Sequence, residues 1–420
     1  MNTLRINAVR LQNNIRDLAL FGLNEATGGL DRTTFTAAEL SAREWLRDKL
    51  LHLQLQVRVD EAANIWALRN GNAEAVLPVI AFGSHIDTVP NGGKYDGALG
   101  VLLALEVMTV LEENKIATRH PLELVSFSAE EPNPFGLSTF GSRAISGKLS
   151  QKDLAGVRNE QGDLLTDALR WAGGDPDHFE QARRKPAELA AFLEVHIEQG
   201  KRLLVRDIPV GIVSAITGIY REEITVVGEA NHAGTTLMVD RKDALMGASE
   251  IMLAFEAVCR THPADEVVGT IGRISNEPNA ANIIPEKVNF HLEVRGERRS
   301  QIQEVLEAWS ELAISIAEGR GLTLERRLIL DQAPEPLDSF IIELCAEQAQ
   351  ELGYPTLQLG SMAGHDATHM ASLTKAGMLF VPSLGGKSHC PEEESRIEDI
   401  EKVGNVLLQS ILALDQQLNR

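Results

Sequence analysis

An α/β protein of two domains, one inserted into the other, is the fold class this sequence predicts, and three observations predict it. Up to about residue 212, strand-length apolar runs alternate with helical stretches, the order that builds a mixed sheet flanked by helices. From Val213 the order becomes strand, helix, strand, strand, helix, strand, which describes a compact α+β unit. After Pro334 and Pro336 the first pattern returns and runs to the final helix. The expected domains are therefore 1–212 joined with 330–420, and an insert of 213–329.

The elements follow in order. MNTLRINAVRLQNNIRDLALFG reads as an amphipathic helix and lacks the apolar core of a signal peptide. LPVIAFG is an apolar strand that runs into His85, and PLELVSFSAEEPNPFG is a second strand ending at Glu130 and Glu131. Gln151 to Leu189 is polar and reads as helical, with Arg183, Arg184 and Lys185 forming a solvated helix end before Pro186. AFLEVHIEQG is a strand carrying His196. In the insert, REEITVVGEA, EVVGTIGRIS, KVNFHLEVR and LTLERRLIL are strands, while DALMGASEIMLAFEAVC and the polar stretch from about Arg299 to Ala317 are helices. That order is the ferredoxin-like split unit. KVNFHLEVR alternates strictly, so Val288, Phe290, Leu292 and Val294 face a core and Asn289, His291, Glu293 and Arg295 face away from it. A helix, the AGHDA turn, the strand GMLFVPS and a last helix complete the chain, with no internal repeat and no low-complexity tract.

Composition narrows the class. The chain has 420 residues, 44% hydrophobic and 24% charged, which suits a globular protein with a sizeable core in more than one domain. Lys and Arg total 40 against 60 Asp and Glu, a net charge of −20, which argues against nucleic acid or an anionic membrane surface as partner. An anionic small substrate would need a local positive pocket, so the arginines near the motifs draw attention. Cys259, Cys345 and Cys390 are widely spaced and form no metal or redox pattern, which fits a reducing cytoplasm. No run is long enough to span a bilayer.

The stretch FGSHIDTVPNGGKYDGALG places His85 and Asp87 two residues apart at a strand end, with Asp96 following in a glycine-rich turn. Residues i and i+2 of a strand share a face, so His85 can offer one ring nitrogen to a metal while Asp87 hydrogen-bonds the other. Gly92, Gly93 and Gly97 let the backbone bend tightly enough to return the Asp96 carboxylate to that histidine. Glu130 and Glu131, His196, and His389 in LGGKSHCPEE each lie at or beyond the C-terminal end of an apolar strand, where side chains from separate strands of an α/β sheet converge. A lone histidine or a lone Glu-Glu pair carries little weight, but this joint placement points to two divalent ions, zinc first.

In that order, GSHIDTVPNGGKYDG, SAEEPNPFG, EVHIEQG, GEANHAGTT, NIIPEKVNFHLEVRG, SMAGHDA and GGKSHCPEE resemble the M20-type metallohydrolases. The closest resemblance is to the branch of N-carbamoyl-L-amino-acid hydrolases, allantoate amidohydrolases and β-ureidopropionases, and it covers the chain from about Arg5 to the last helix. The resemblance implies a zinc-peptidase-like catalytic domain and an inserted dimerisation domain. Carried over by position, one metal would be held by His85, Asp96 and His196 and the other by Asp96, Glu131 and His389, with Asp96 bridging. Zinc is the first choice, and manganese or cobalt serves in some members. Glu130 would be the general base, although spacing alone leaves the order of Glu130 and Glu131 open. Asn282 and Arg295 would hold a substrate carboxylate, Gln199 would touch substrate near the metals, and His232 would reach the active site of a partner subunit to stabilise an oxyanion.

The implied reaction is hydrolysis of a linear C–N bond in a ureido or carbamoyl compound bearing a carboxylate, with release of ammonia. Amides and ureas are poor electrophiles, and a divalent ion both lowers the pKa of a coordinated water toward ~7 and polarises a carbonyl. Arg221 and Asn231 of the NHAG segment tilt the substrate toward an allantoate-like compound over an N-carbamoyl-L-amino acid. An M20 aminopeptidase or aminoacylase is the alternative, which HIEQG and NHAGTT argue against; an inactive binding protein is disfavoured because every ligand and Glu130 are retained. His365 and Asp366 resemble a family motif near the metals, with packing or support as the expected role. Three departures bear on the pocket: Pro134 stands where the family has an arginine, Leu237 replaces a proline, and Met362 replaces a glycine.

Overall fold

The computed structural model describes residues 3–264 and 266–418. The chain divides into two compact units. One comprises the chain up to Ser214, Pro336–Leu359 and the stretch from His365 onward; the other comprises Ala215–Glu335 and Gly360–Gly364.

The strands in chain order are β1 (Gln56–Val59), β2 (Ile65–Arg69), β3 (Val79–His85), β4 (Leu122–Phe127), β5 (Leu189–Ile197), β6 (Val210–Ile216), β7 (Gly218–Val227), β8 (Val268–Glu277), β9 (Lys287–Gly296), β10 (Thr323–Gln332), β11 (Glu335–Pro336), β12 (Thr356–Ser361) and β13 (Lys375–Val381). Among the described residues the larger sheet has nine strands in the order β1-β2-β4-β3-β5-β13-β6-β11, with β12 also paired to β6. Its centre is parallel, since β3 runs parallel to β4 and β5, and β13 parallel to β5. The C-terminal ends of β3, β4, β5 and β13 therefore open on one edge, the position where α/β sheets gather functional side chains.

Helix Ala98–Glu113 is apolar around its whole circumference and buried along almost its whole length. A helix of that kind has to lie between layers. It packs on the sheet on one side and against helices Ala8–Leu18 and Ile397–Gln417 on the other. Its one fully buried charge, Glu106, is matched by Arg10 Nε at 2.7 Å and the Asn7 amide at 2.8 Å. Without those donors the carboxylate would destabilise the core strongly. Side-chain caps set several helix starts: Asn7 accepts from Arg10 N, Thr36 from Glu39 N, and Asp338 from Phe340 N and Ile341 N.

In the second unit β10-β7-β9-β8 form a fully antiparallel sheet in ferredoxin-like order. The alternation in β9 is realised, with Val288, Phe290, Leu292 and Val294 at 0% exposure packed on Phe255 and Trp309 of helices Ala244–Thr261 and Arg299–Gly319. β7 begins at Gly218, three residues earlier than Arg221.

Two expectations change. The segment 151–189 is not one helical stretch but short pieces, Gln151–Leu154 and Leu165–Trp171 with 3-10 turns at Phe179–Ala182 and Pro186–Glu188. Gly156 and Gly173, at positive φ, follow the two α-helical pieces, and Gly162, also at positive φ, lies in the turn between them. Within the basic triplet, Arg184 is not a solvated helix end. Its guanidinium stacks 4.9 Å from the Trp66 ring and pairs with Glu123 at 3.0 Å and Glu188 at 2.9 Å.

Candidate metal centre

His85 is the last residue of β3, His196 the eighth of β5, and Glu130 and Glu131 follow β4. Asp96 lies in the turn before helix Ala98–Glu113, and His389 in the loop after β13. Gly97, at φ 63°, shows why that turn carries glycine: a Cβ there would sit 2.3 Å from the His85 ring. The ring and the helix start can touch only because the side chain is missing.

Two sets of ligand atoms result, each within 4.8 Å of one another: His85, Asp96 and His196, and Asp96, Glu131 and His389. Asp96 belongs to both. Its Oδ1 is 3.0 Å from His196 Nε2 and 3.7 Å from His85 Nε2, while Oδ2 is 3.1 Å from His389 Nε2. His85 Nδ1 donates to the Asp87 carbonyl and His196 Nδ1 to the Ile197 carbonyl, each at 3.0 Å. Those bonds commit the Nδ1 positions and leave each Nε2 facing the carboxylates, with His196 Nε2 also accepting the Gly97 amide at 3.2 Å. Glu131 Oε1 is buried and makes no hydrogen bond, with His389 Nε2 at 3.5 Å. A buried carboxylate oxygen without a donor is costly unless a cation faces it. The imidazole and carboxylate donors therefore fit a pair of divalent ions of the borderline kind.

Electrostatics point the same way. Burial pushes the Glu131 carboxyl up to about 7, reinforced by Asp96. Burial opposes ionisation of Asp96 too, but His196 and His389 outweigh it and hold that carboxyl well below its usual range. The hydrogen bond to Asp96 raises His389 to about 9. Burial would lower the His85 imidazole, yet Glu130 and Asp87 hold it well above normal. Negative charge is in excess here and demands positive partners.

Glu130 belongs to neither set; its Oε2 is 3.6 Å from His85 Nε2, and burial, with Asp366 and Glu131 adding to it against His85, drives its carboxyl well above normal. Asp87 meets His85 differently from the expectation. Its carbonyl takes the Nδ1–H bond, and its carboxylate, 3.4 Å from that nitrogen, is turned to Thr34 Oγ1 at 2.9 Å, Glu131 N at 3.1 Å and Glu130 N at 3.3 Å. Asp87 thus fixes the Glu130–Glu131 backbone as well as the histidine. Gln199, at φ 57°, donates from Nε2 to Asp96 Oδ2 at 2.8 Å and to Ser388 Oγ at 3.0 Å. The His365 ring packs 4.4 Å from that of His196, and Asp366 accepts from Ser142 Oγ at 2.5 Å.

The remaining expected residues belong to the second unit and form two groups there. His232 Nδ1 accepts from Gly234 N at 3.1 Å and Thr235 N at 3.2 Å, which leaves its proton on the exposed Nε2, ready to donate. Asn282 lies beside it, its carbonyl accepting from Ala233 N at 3.0 Å. Arg221 and Arg295 meet through Glu293: Arg221 Nε donates to Oε2 at 3.0 Å and Arg295 Nε to Oε1 at 2.7 Å. Arg295 Nη1 also donates to the Met362 carbonyl at 2.9 Å.

Arg32, Thr34, Ser388 and Glu393 were not foreseen. Arg32 is fully buried and donates to the carbonyls of Ile86 at 2.7 Å, Leu18 at 2.9 Å and Phe21 at 3.1 Å, bracing the turn that holds Asp87. DRTTF reads as a polar turn, so its sequence held no sign of this. Glu393 had one available signal, a carboxylate four residues beyond His389.

Residues 81–413 match the family described as Peptidase family M20/M25/M40, and the chain belongs to that family. Hydrolases of this family use divalent metals, in keeping with the two donor sets. Among curated relatives, an N-carbamoyl-L-amino acid amidohydrolase of Geobacillus stearothermophilus is 37% identical over 98% of this chain and 99% of its own. An allantoate amidohydrolase of Bacillus subtilis is also 37% identical, over 93% of this chain and 95% of its own. Among solved structures, an amidase of the hydantoinase/carbamoylase family from Burkholderia multivorans superposes with a TM-score of 0.89 at 30% identity, covering 98% of both chains.

Proposed function

We propose that this protein is a metal-dependent amidohydrolase that cleaves a linear C–N bond of a ureido or carbamoyl compound bearing a carboxylate, releasing ammonia. The observation that carries this is the pair of donor sets sharing Asp96, with Glu130 beside His85 but outside both. Full-length relatives named for N-carbamoyl-L-amino acids and for allantoate support the substrate class, and the peptidase alternative is not favoured.

His85, Asp96 and His196 would hold one divalent ion and Asp96, Glu131 and His389 another, with zinc preferred over manganese or cobalt, and the ions would supply Lewis acidity toward water and the scissile carbonyl. Glu130 removes the proton of the attacking water and returns it to the leaving nitrogen. His232, with Nε2–H outward, donates to the oxygen that becomes negative as the carbonyl is attacked. Arg295 and Asn282 receive the substrate carboxylate, Arg221 is joined to Arg295 through Glu293, and Gln199 steers substrate next to Asp96.

The same reading includes a homodimer formed through the insert. β8 is an edge strand, and Val268 and Ile274 on it and Leu253 on the neighbouring helix are exposed. A groove of about 540 Å³ lies between Leu253 and β8, lined by Met252, Phe255, Gly269 and Ile271 among others. An exposed apolar edge of this kind favours pairing with a second copy. The three cysteines are unpaired, which supports a cytoplasmic setting, and among the described residues no helix is long and apolar enough to cross a membrane.

The test follows ammonia release from ureides and N-carbamoyl-L-amino acids, and free amino acid release from N-acyl amino acids and dipeptides, after loading with zinc, manganese or cobalt. Turnover of allantoate or an N-carbamoyl-L-amino acid is expected. Hydrolysis of dipeptides or N-acyl amino acids alone would sink the proposal.

A further inference from the structure

Glu393 is 2% exposed and has no part in either donor set, yet it joins the two chain segments that meet there. Its Oε1 accepts the amides of Tyr95 at 2.9 Å and Asp96 at 3.0 Å. Its Oε2 accepts from Ser388 Oγ at 2.9 Å, and the same hydroxyl lies 3.0 Å from Asp96 Oδ2. Gln199 Nε2 closes the circuit by donating to both Ser388 Oγ and Asp96 Oδ2. The glycine-rich turn is shaped to admit this carboxylate, since a Cβ on Gly93 would come within 2.2 Å of Glu393 Oε1. Next to it, Lys94 Nζ pairs with Glu394 at 2.9 Å, a second tie between the same segments.

We propose that Glu393 is a positioning residue for metal binding, holding the backbone of Asp96 in register with the His389 loop so that the shared carboxylate meets both donor sets. Two observations separate this from packing. The bonds fall on the backbone of Asp96 itself and on the Ser388 hydroxyl, whose oxygen lies 3.0 Å from the Asp96 carboxylate and whose one proton either carboxylate can take. They also connect Asp96 with the segment bearing His389, and those two ligands belong to one donor set. Groups that orient ligands in this manner typically govern metal affinity by 10–100-fold. The inference rests on the ligand assignment of the preceding section.

The experiment is a zinc titration of the metal-free protein against a chromogenic chelator, with the melting temperature of the metal-free form measured alongside. Glu393→Ala removes every acceptor and should weaken one of the two zinc ions by about 10–100-fold. Glu393→Gln keeps an oxygen for the two amides and should fall between that variant and the wild type. The metal-free melting temperature of Glu393→Gln should match that of wild type. A lowered melting temperature with unchanged zinc affinity in both variants would reduce Glu393 to a structural tie and overturn the proposal. If Glu393→Ala does not fold, unchanged affinity in Glu393→Gln overturns it alone. His389→Ala is the control: wild-type zinc stoichiometry in that variant would overturn the ligand assignment, and this proposal with it.

Discussion

In the proposed mechanism Glu130, beside His85 but outside both donor sets, carries the proton taken from water to the leaving nitrogen. Glu130→Gln keeps size and polarity while removing the base, so turnover should fall by ~10² or more with substrate affinity and both metal ions retained. If that variant loses a metal while Glu131→Gln keeps two, the neighbouring carboxylates must exchange roles. Because Asp96 lies in both sets, Asp96→Ala should lose both ions by elemental analysis and His389→Ala only one. Full stoichiometry in Asp96→Ala would sink the bridging assignment. The residues meant for the metals were legible because each sits at or beyond a strand end in a glycine-rich segment. Arg32, Thr34 and Glu393 were not, since their roles depend on segments far apart in sequence: Arg32 acts on Ile86, and Glu393 on Asp96. Asp87 was half legible. Its place beside His85 follows from strand spacing, but its carboxylate is taken by Thr34 and two amides that no spacing rule reveals.

At the scale of elements, the strict alternation of β9 and the all-round apolarity of Ala98–Glu113 translate directly into burial, because one face of a sheet and all faces of a central helix admit no other solution. Segment 151–189 did not translate, because its polar residues give no periodic face and its glycines break it into single turns. The short helix Ala367–Met370 carries a pH-sensitive element. Burial, with Lys148 and Arg143 adding to it, lowers His369 from 6.5 to about 3. Its Nε2 lies 3.0 Å from Thr139 Oγ1. Between those values the unfolded chain binds a proton that the folded chain does not, so stability drops as pH falls below 6.5. Urea midpoints at pH 7 and pH 5 measure it: wild type should lose up to about 2 kcal/mol more than His369→Gln across that interval. Equal losses would show that His369 titrates normally in the fold.

For the whole molecule, the donor sets lie in one unit and His232, Asn282, Arg221 and Arg295 in the other. On the proposed roles of His232 and Glu130 in a dimer, each active site draws on both subunits. Mixing inactive His232→Ala with inactive Glu130→Gln should restore activity through hybrid dimers, in which one site has an intact base and an intact partner histidine. Random exchange makes about half of all dimers hybrid with one good site each, so recovery should approach about a quarter of wild-type activity. No recovery, with subunit exchange shown by native mass spectrometry, would place His232 in its own subunit's site or outside the chemistry. The change in strand and helix order near Val213 lies close to the start of the second unit at Ala215, but that unit runs to Glu335, past the expected end at 329, and takes in Gly360–Gly364, which no change of pattern marked. The exposed residues on which the dimer proposal rests, Leu253, Val268 and Ile274, were not legible, because the place of β8 at the sheet edge emerges only from the strand order.

The central claim joins the two donor sets to ureido C–N hydrolysis, and one titration tests both together. Metal-depleted protein is supplied with increasing zinc while ammonia release from allantoate and from an N-carbamoyl-L-amino acid is followed. The rate should rise from background and level off at two ions per chain, one for each donor set. Ammonia release that persists in the metal-depleted protein, or saturation with both substrates left intact, would contradict the account.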